Sequence, residues 1–227
     1  LEYGDIFSKS RHKVPFEEFD AEFGLQWNLG INPVTGANVD ATGVLQGWRF
    51  GENQNWAFGL FQNYEFFTNG APQEFKRSEA GIFSLGQTSM GPGLRYFTPL
   101  GKRMRLDIDF KLMPVILGAI SSPAAVHEES RNYNYGVGGT THLKLKLEHD
   151  RWGYVQTEAR RYSMMVVNGA SGVDSAGYWD NAVFFNIKSG HGVLLNAIMY
   201  DRESYYEAYD DIIEHFWIGR VSYRKEW

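Results

Sequence analysis

Polar and apolar residues alternate with period two along most of this chain. In RLDIDFKLM, residues 105 to 113, the charges Arg105, Asp107, Asp109 and Lys111 are separated by Leu106, Ile108 and Phe110, with Leu112 after them. Side chains of a β-strand point alternately to its two faces, so this spacing predicts a strand whose faces meet different surroundings. FDAEFGLQWNL repeats the pattern, with Phe19, Ala21, Phe23, Leu25, Trp27 and Leu29 on one face and Asp20, Glu22, Gln26 and Asn28 on the other. In YNYGVGGTTHLKLKLEH, Val137, Thr141, Leu143, Leu145 and Leu147 oppose Thr140, His142, Lys144, Lys146 and Glu148. GYVQTEARRYSMMVV places Gln156, Glu158 and Arg160 together, and IIEHFWIGRVSY separates Ile213, Trp217, Val221 and Tyr223 from Glu214, Arg220 and Ser222. In WAFGLFQNYEFF the alternation is blurred. Helical periodicity is hard to find.

Turn-forming stretches divide the chain into about ten strands, with twelve as the upper reading. Their connections read as long and short in turn. INPVTGAN, the stretch from Thr68 to about Gln87, SSPAAVHEESRN, NGASGVDSAG and ESYYEAYDD are the long ones, while GENQN, PLGKR, the turn at Asp150 and SGHG are short. In an up-and-down sheet this order gathers all long loops at one end. Barrels of the bacterial outer membrane sort their connections in this way, with short periplasmic turns and longer extracellular loops.

Alternation alone fits two readings. An apolar face turned to a core with charges in water is a soluble sheet; an apolar face turned to lipid with charges in a lumen is a membrane barrel. Aromatics near strand ends favour the second, since Trp27, Trp48, Trp56, Tyr96, Trp152, Tyr178, Trp179, Trp217 and Tyr223 fall where interfacial girdles belong. The polar face also mixes Gly, Gln, Asn, Arg and Tyr with charges of both signs, which suits a narrow lumen where charges pair. The expected fold is therefore all-β: one antiparallel up-and-down transmembrane β-barrel over residues 1 to 227, with residues 1 to 14 as a flexible N-terminal segment.

Composition removes several alternatives. The 227 residues contain no cysteine, which excludes disulfides, thiolate metal sites and cysteine nucleophiles. A net charge of −5 built from both signs argues against a nucleic-acid partner. The longest apolar run, LMPVILGAI, is far shorter than the roughly 20 residues a membrane-crossing helix needs. No stretch reads as a signal peptide, which predicts a chain that is cytoplasmic or already processed. Negative mean hydropathy does not count against a barrel, because half of each strand faces a polar interior.

PFEEFDAEF (15 to 23), GWRFGENQNWAFGLFQNYEFF (47 to 67), GPGLRYFTPLG (91 to 101), ILGAISS (116 to 122) and NYGVGG (134 to 139) resemble motifs of an uncharacterised family of bacterial outer-membrane β-barrels, a domain of unknown function. The terminal Trp227 also resembles the signal read by barrel-assembly machinery. The resemblance spans most of residues 15 to 140 and implies a fold and a location without an activity. Members of that family often carry a further segment before the barrel strands, whereas this chain starts at LEYGDIF.

Candidate chemistry is sparse. His142, on a charged strand face beside Lys144, suits either a general base or a histidine hydrogen-bonded in a polar interior. His127, next to Glu128 and Glu129, with Asp210 and Asp211, is the nearest approach to a rim site. Neither G-x-S-x-G nor H-E-x-x-H occurs, and no cofactor or metal is expected. The firmer expectation is a lumen network of Arg105, Asp107, Asp109, Lys111, His142, Lys144, Lys146, Glu148, Glu158, Arg160 and Arg220 that fills the interior. The leading functional expectation is a non-enzymatic envelope or surface protein that binds a ligand, lipid or protein through loops or lumen. The alternatives are an outer-membrane hydrolase or protease with a rim site, and a soluble barrel for a small apolar ligand. Expected partners are outer-membrane lipids and lipopolysaccharide, the barrel-assembly machinery during biogenesis, and a protein at the extracellular loops.

Overall fold

The computed structural model describes residues 14–15, 18–28, 35–51, 53–69, 83–121, 133–168, 171–188, 191–208 and 210–226. The strands are β1 (Val14–Pro15), β2 (Phe19–Asn28), β3 (Thr35–Phe50), β4 (Trp56–Asn69), β5 (Phe83–Pro99), β6 (Met104–Ser121), β7 (Tyr133–His149), β8 (Gly153–Asn168), β9 (Gly172–Lys188), β10 (His191–Tyr206) and β11 (Ile212–Glu226). From β2 onward each strand pairs antiparallel with the next, and β11 pairs back onto β2 through nine residue pairs from Ile218↔Asn28 to Glu226↔Asp20. The ten strands thus close into a ring with no free edge, so every strand has hydrogen-bonding neighbours on both sides.

β1 prolongs the line of β2. It pairs with β3 at Val14↔Arg49 and Pro15↔Trp48, and the amide of Val44 donates to the Glu18 carbonyl at 2.9 Å where β2 takes over.

Alternation decides what each face meets. Along β10, Leu194, Asn196, Ile198, Tyr200, Arg202, Ser204 and Tyr206 are buried inward, while Leu195, Met199 and Tyr205 are exposed outward. The same holds for the segment with which the sequence reading began: Asp107, Asp109 and Lys111 are buried in the lumen, and Phe110 and Leu112 are each half exposed on the outer wall. Exposed outer positions across the barrel include Phe58, Leu143, Val155, Phe185 and Val221. An apolar exterior around a charged interior is the reverse of a water-soluble core, and a continuous band of this kind requires a hydrocarbon surrounding.

Among the described residues, apolar packing inside forms three clusters: Tyr154, Ala182, Phe184 and Leu194; Ala57, Phe61, Phe97 and Met113; and Tyr162, Met164, Ala176, Ile198, Tyr200 and Ile218. The second explains the blurred alternation of WAFGLFQNYEFF. Phe61 turns into the lumen and lies over Gly93, where a Cβ would come within 2.6 Å of its ring.

Two expectations are corrected. NGASGVDSAG and ESYYEAYDD do not form long loops throughout. β9 already begins at Gly172, and β10 runs on to Tyr206, because Val173 and Tyr205 stay in register and the ladder continues through both stretches. Tyr178 does not belong to an outer girdle. It neighbours the outward Trp179 on an extended strand and so points into the lumen, where its hydroxyl donates to Glu65 at 3.1 Å.

At the short-turn end an aromatic rim does form on the outside. Phe50 stacks on Trp56 at 6.3 Å, Trp56 meets Tyr96 at 4.8 Å, His149 stacks on Trp152 at 5.3 Å, and Phe23 packs on Tyr223 at 5.1 Å. Such amphipathic rings suit a membrane–water boundary.

Candidate functional site

The register of β6, β7 and β8 determines which lumen charges become neighbours. Arg105 lies opposite Glu148, Asp107 opposite Lys146, Asp109 opposite Lys144 and Lys111 opposite His142. On the other side of β7, His142 lies opposite Arg160 and Lys144 opposite Glu158. Opposite charges on directly facing residues attract, so most of this wall is self-complementary.

Near the short turns Arg105 spans Asp107 at 2.7 Å and Glu148 at 2.8 Å, and Lys146 joins the same two acids at 3.7 and 3.1 Å. Deeper in, Asp109 pairs with Lys144 at 3.4 Å and holds the Arg95 guanidinium, which also grips Glu18. Glu18 sits in the break between β1 and β2, outside both strands. Burial alone would raise its carboxyl, but the Arg95 guanidinium outweighs this and holds it well below the usual carboxylate range.

The middle of the lumen is organised by Arg160. It contacts Glu65 of β4 at 2.6 Å, Glu158 at 2.8 Å and Asp40 of β3 at 3.6 Å, and its guanidinium lies 5.0 Å from the Tyr178 ring centre. Glu65 is further held by the Gln87 amide at 2.8 Å. His142 points Nδ1 at Glu158, 3.3 Å away, and is 3% exposed. Lys111 places its ammonium 4.7 Å from the Phe61 ring centre. Arg220 approaches Glu22 at 3.7 Å. Each expected lumen residue therefore lies inside the barrel or at its short-turn rim.

Several members escaped the sequence reading. Asp20 and Glu22 pair with Arg224 at 2.8 and 3.6 Å, and near the loop end Arg202 reaches Asp174 at 3.2 Å beside Tyr206, whose hydroxyl donates to the same carboxylate. Strand parity was the available signal, since all of them occupy inward positions. The partners of these charges depend on ring closure and register.

A polar space of about 40 Å³ remains between Asp20, Glu22, Asp40, Lys111, Lys144 and Arg220, room for a water or two.

No family model matches the chain, and no curated protein matches it. Solved structures similar to it include the beta domain of the Bordetella autotransporter BrkA, at 11% identity over 93% of this chain and 99% of that one, TM-score 0.36. The translocator domain of the autotransporter NalP from Neisseria meningitidis matches at 14% identity over 98% and 92%, TM-score 0.33. OmpT of Vibrio cholerae, expressed in the outer membrane, matches at 10% identity over 94% and 97%, TM-score 0.29. The architecture described above rests on this chain's own strand register.

The rim candidates are described only in part. His127 lies outside the described residues. Asp210 and Asp211 are exposed in the β10–β11 turn, where Asp211 accepts the Tyr206 amide at 3.4 Å. His142 is enclosed by the lumen network, away from either rim.

Proposed function

We propose that this chain is an outer-membrane β-barrel with a sealed lumen, acting as a non-enzymatic envelope or surface protein. One observation carries the reading: Glu65 of β4 is held by both Arg160 of β8 and Tyr178 of β9, groups from the far side of the ring. A latch of this kind crosses the space a solute would need. Binding then belongs to the extracellular loops and the outer wall, with outer-membrane lipids and lipopolysaccharide as surroundings and a protein partner at the loops. The barrel-assembly machinery would insert the chain during biogenesis.

The apolar outer wall supports the location, because half-exposed Phe110, Leu112 and Leu143 on neighbouring strands need hydrocarbon contact. Planar-bilayer recordings test the sealed lumen: the purified barrel inserts without a steady conductance. A large, stable open level would overturn the proposal. Membrane fractionation tests the location, and recovery as a detergent-free soluble monomer would overturn it.

A further inference from the structure

The apolar band on the outer wall is interrupted on β8 to β11 by a row of polar and small residues, beyond which Met165, Val167, Val173, Tyr205 and Ile213 are again exposed outward. On β10 the outward residues are Val193, Leu195, Ala197 and Met199, followed by Asp201 and Glu203. On β8 the sequence Val155, Thr157, Ala159 is followed by Arg161, and on β11 Val221, Gly219, Trp217 is followed by His215. These changes lie on one registered row: Arg161↔Gly177↔Asp201↔His215. From His191 to Asp201 the strand rises about ten residues, which at the usual tilt spans roughly 25 Å, the height of an outer-membrane hydrocarbon band. The row lies at about the height expected of the boundary on the loop side.

At this boundary the wall is recessed. β9 contributes Gly177, and the bare backbone lets Arg161 and Asp201 approach from the strands on either side. A Cβ at Gly177 would stand 2.9 Å from Asp201 Oδ1. Arg161 bridges Asp201 at 3.4 Å and Glu203 at 3.0 Å, with about half of its side chain still exposed. Below this trio runs a groove of about 320 Å³ lined by Phe110, Leu143, Ala159, Trp179 and Met199. This volume lies in the range of ligand clefts. Trp179 is fixed by its indole N–H donating to Thr157 Oγ1 at 2.7 Å.

We propose that the groove holds one glycerophospholipid with a phosphoethanolamine headgroup: an acyl chain over Ala159 and Gly177, the phosphate at Arg161, and the ammonium at Asp201 and Glu203. The charges are complementary to a headgroup carrying both signs. One cation meets the phosphate, and two carboxylates accept the ammonium hydrogens. A purely anionic headgroup would face two carboxylates with no cation of its own. Surface ion pairs as exposed as these open at little cost, so Arg161 can exchange a protein carboxylate for a lipid phosphate.

This proposal rests on the membrane-spanning reading, and the experiment separates the two. The chain is refolded into vesicles containing phosphatidylethanolamine and phosphatidylglycerol in equal amounts with identical acyl chains. It is then extracted in mild detergent and its retained lipid is measured by native mass spectrometry. Phosphatidylethanolamine should be retained about tenfold over phosphatidylglycerol, the factor a charge-assisted hydrogen bond supplies. Asp201→Asn with Glu203→Gln should abolish the preference, and Gly177→Leu should reduce retention of both lipids. Because Gly177→Leu can disturb folding, circular dichroism accompanies it, and the carboxylate variant tests the site independently. Equal retention of the two lipids, an unchanged preference in the carboxylate variant, or a lipid-free dimer would overturn the site and leave the barrel reading standing. Failure to insert into vesicles would overturn the membrane reading itself.

Discussion

Arg160 on β8 and Glu65 on β4 meet at 2.6 Å although four strand-to-strand steps separate them around the ring. In a ten-stranded ring the greatest separation is five steps, so this ion pair is close to a diameter. It turns two inward-facing walls into one packed interior, because Glu158 and Asp40 join the same guanidinium from β8 and β3. The charges are removed from bulk water and are stable only as a set.

Arg160 serves three carboxylates, whereas Glu65 is only one of its partners, so their replacements should differ in cost. Arg160→Met strands Glu65, Glu158 and Asp40 and should destabilise the barrel by about 4 kcal/mol. Glu65→Ala should cost about 2 to 3 kcal/mol, and Glu65→Gln, which keeps an acceptor for Tyr178, about 1 kcal/mol. Urea unfolding in lipid vesicles, followed by tryptophan fluorescence, gives the order. A finding that Glu65→Gln is as damaging as Arg160→Met would refute the central role assigned to Arg160.

Glu18 should make part of the stability acid-sensitive. Its carboxyl is buried, yet Arg95 holds it well below the usual range, so the folded state binds its proton less readily than the unfolded chain does. The contribution is complete above the unfolded glutamate value of about 4.3 and is lost as pH falls toward the lower folded value. Glu18→Gln should lower stability at pH 7 by about 2 kcal/mol and flatten its dependence on pH below about 4.5. Parallel denaturation curves at pH 7 and pH 3.5 for parent and variant check this, and an identical acid response in both would exclude the assignment.

Local pattern carried the strands and the two faces, because inward and outward positions follow from period two. Asp107, Asp109 and Lys111 were legible for that reason, and so were their neighbours Lys144, Lys146 and Glu158 on the next two strands. The partners of Glu65, Arg95 and Arg202 were not legible. Glu65 finds Arg160 95 positions along the chain, and Arg95 finds Glu18 77 positions back, across a closed ring whose register no local spacing encodes. Tyr178 was misplaced because an aromatic dipeptide near a strand end looks like a girdle, although only one of two consecutive residues can face lipid. The stretches NGASGVDSAG and ESYYEAYDD read as loops because Gly, Ser and Asp signal turns. Here Asp174 and Ser204 are inward lumen residues of continuing strands, fully buried beside Arg202.

If the latch seals the lumen, removing it should open a path. Arg160→Ala, Glu65→Ala and Tyr178→Ala together delete the side chains that meet across the middle. The triple variant should show discrete conductance steps in a planar bilayer where the parent shows none. Circular dichroism in detergent would confirm that the strands persist. A folded, inserted and still silent triple variant would mean that the apolar clusters around Phe61 and Tyr200 close the barrel without the charges.

The outer wall offers a test of both membrane location and the position of the boundary. Leu195 lies between His191 and Asp201, near the middle of the apolar band, and its side chain is outward and exposed. Arginine there must reach a headgroup from the bilayer centre, which costs about 2 to 4 kcal/mol, falling to about 0 to 1 near an interface. Ile213 is also exposed and outward, but it pairs with Glu203 beyond the polar row. Leu195→Arg should therefore destabilise the barrel in lipid vesicles by about 3 kcal/mol and Ile213→Arg by less than about 1. In a soluble barrel both positions would face water, and both replacements would be close to neutral. Equal small costs would therefore remove the membrane reading, whereas equal large costs would move the boundary above Ile213 and place Arg161, Asp201 and Glu203 within the hydrocarbon.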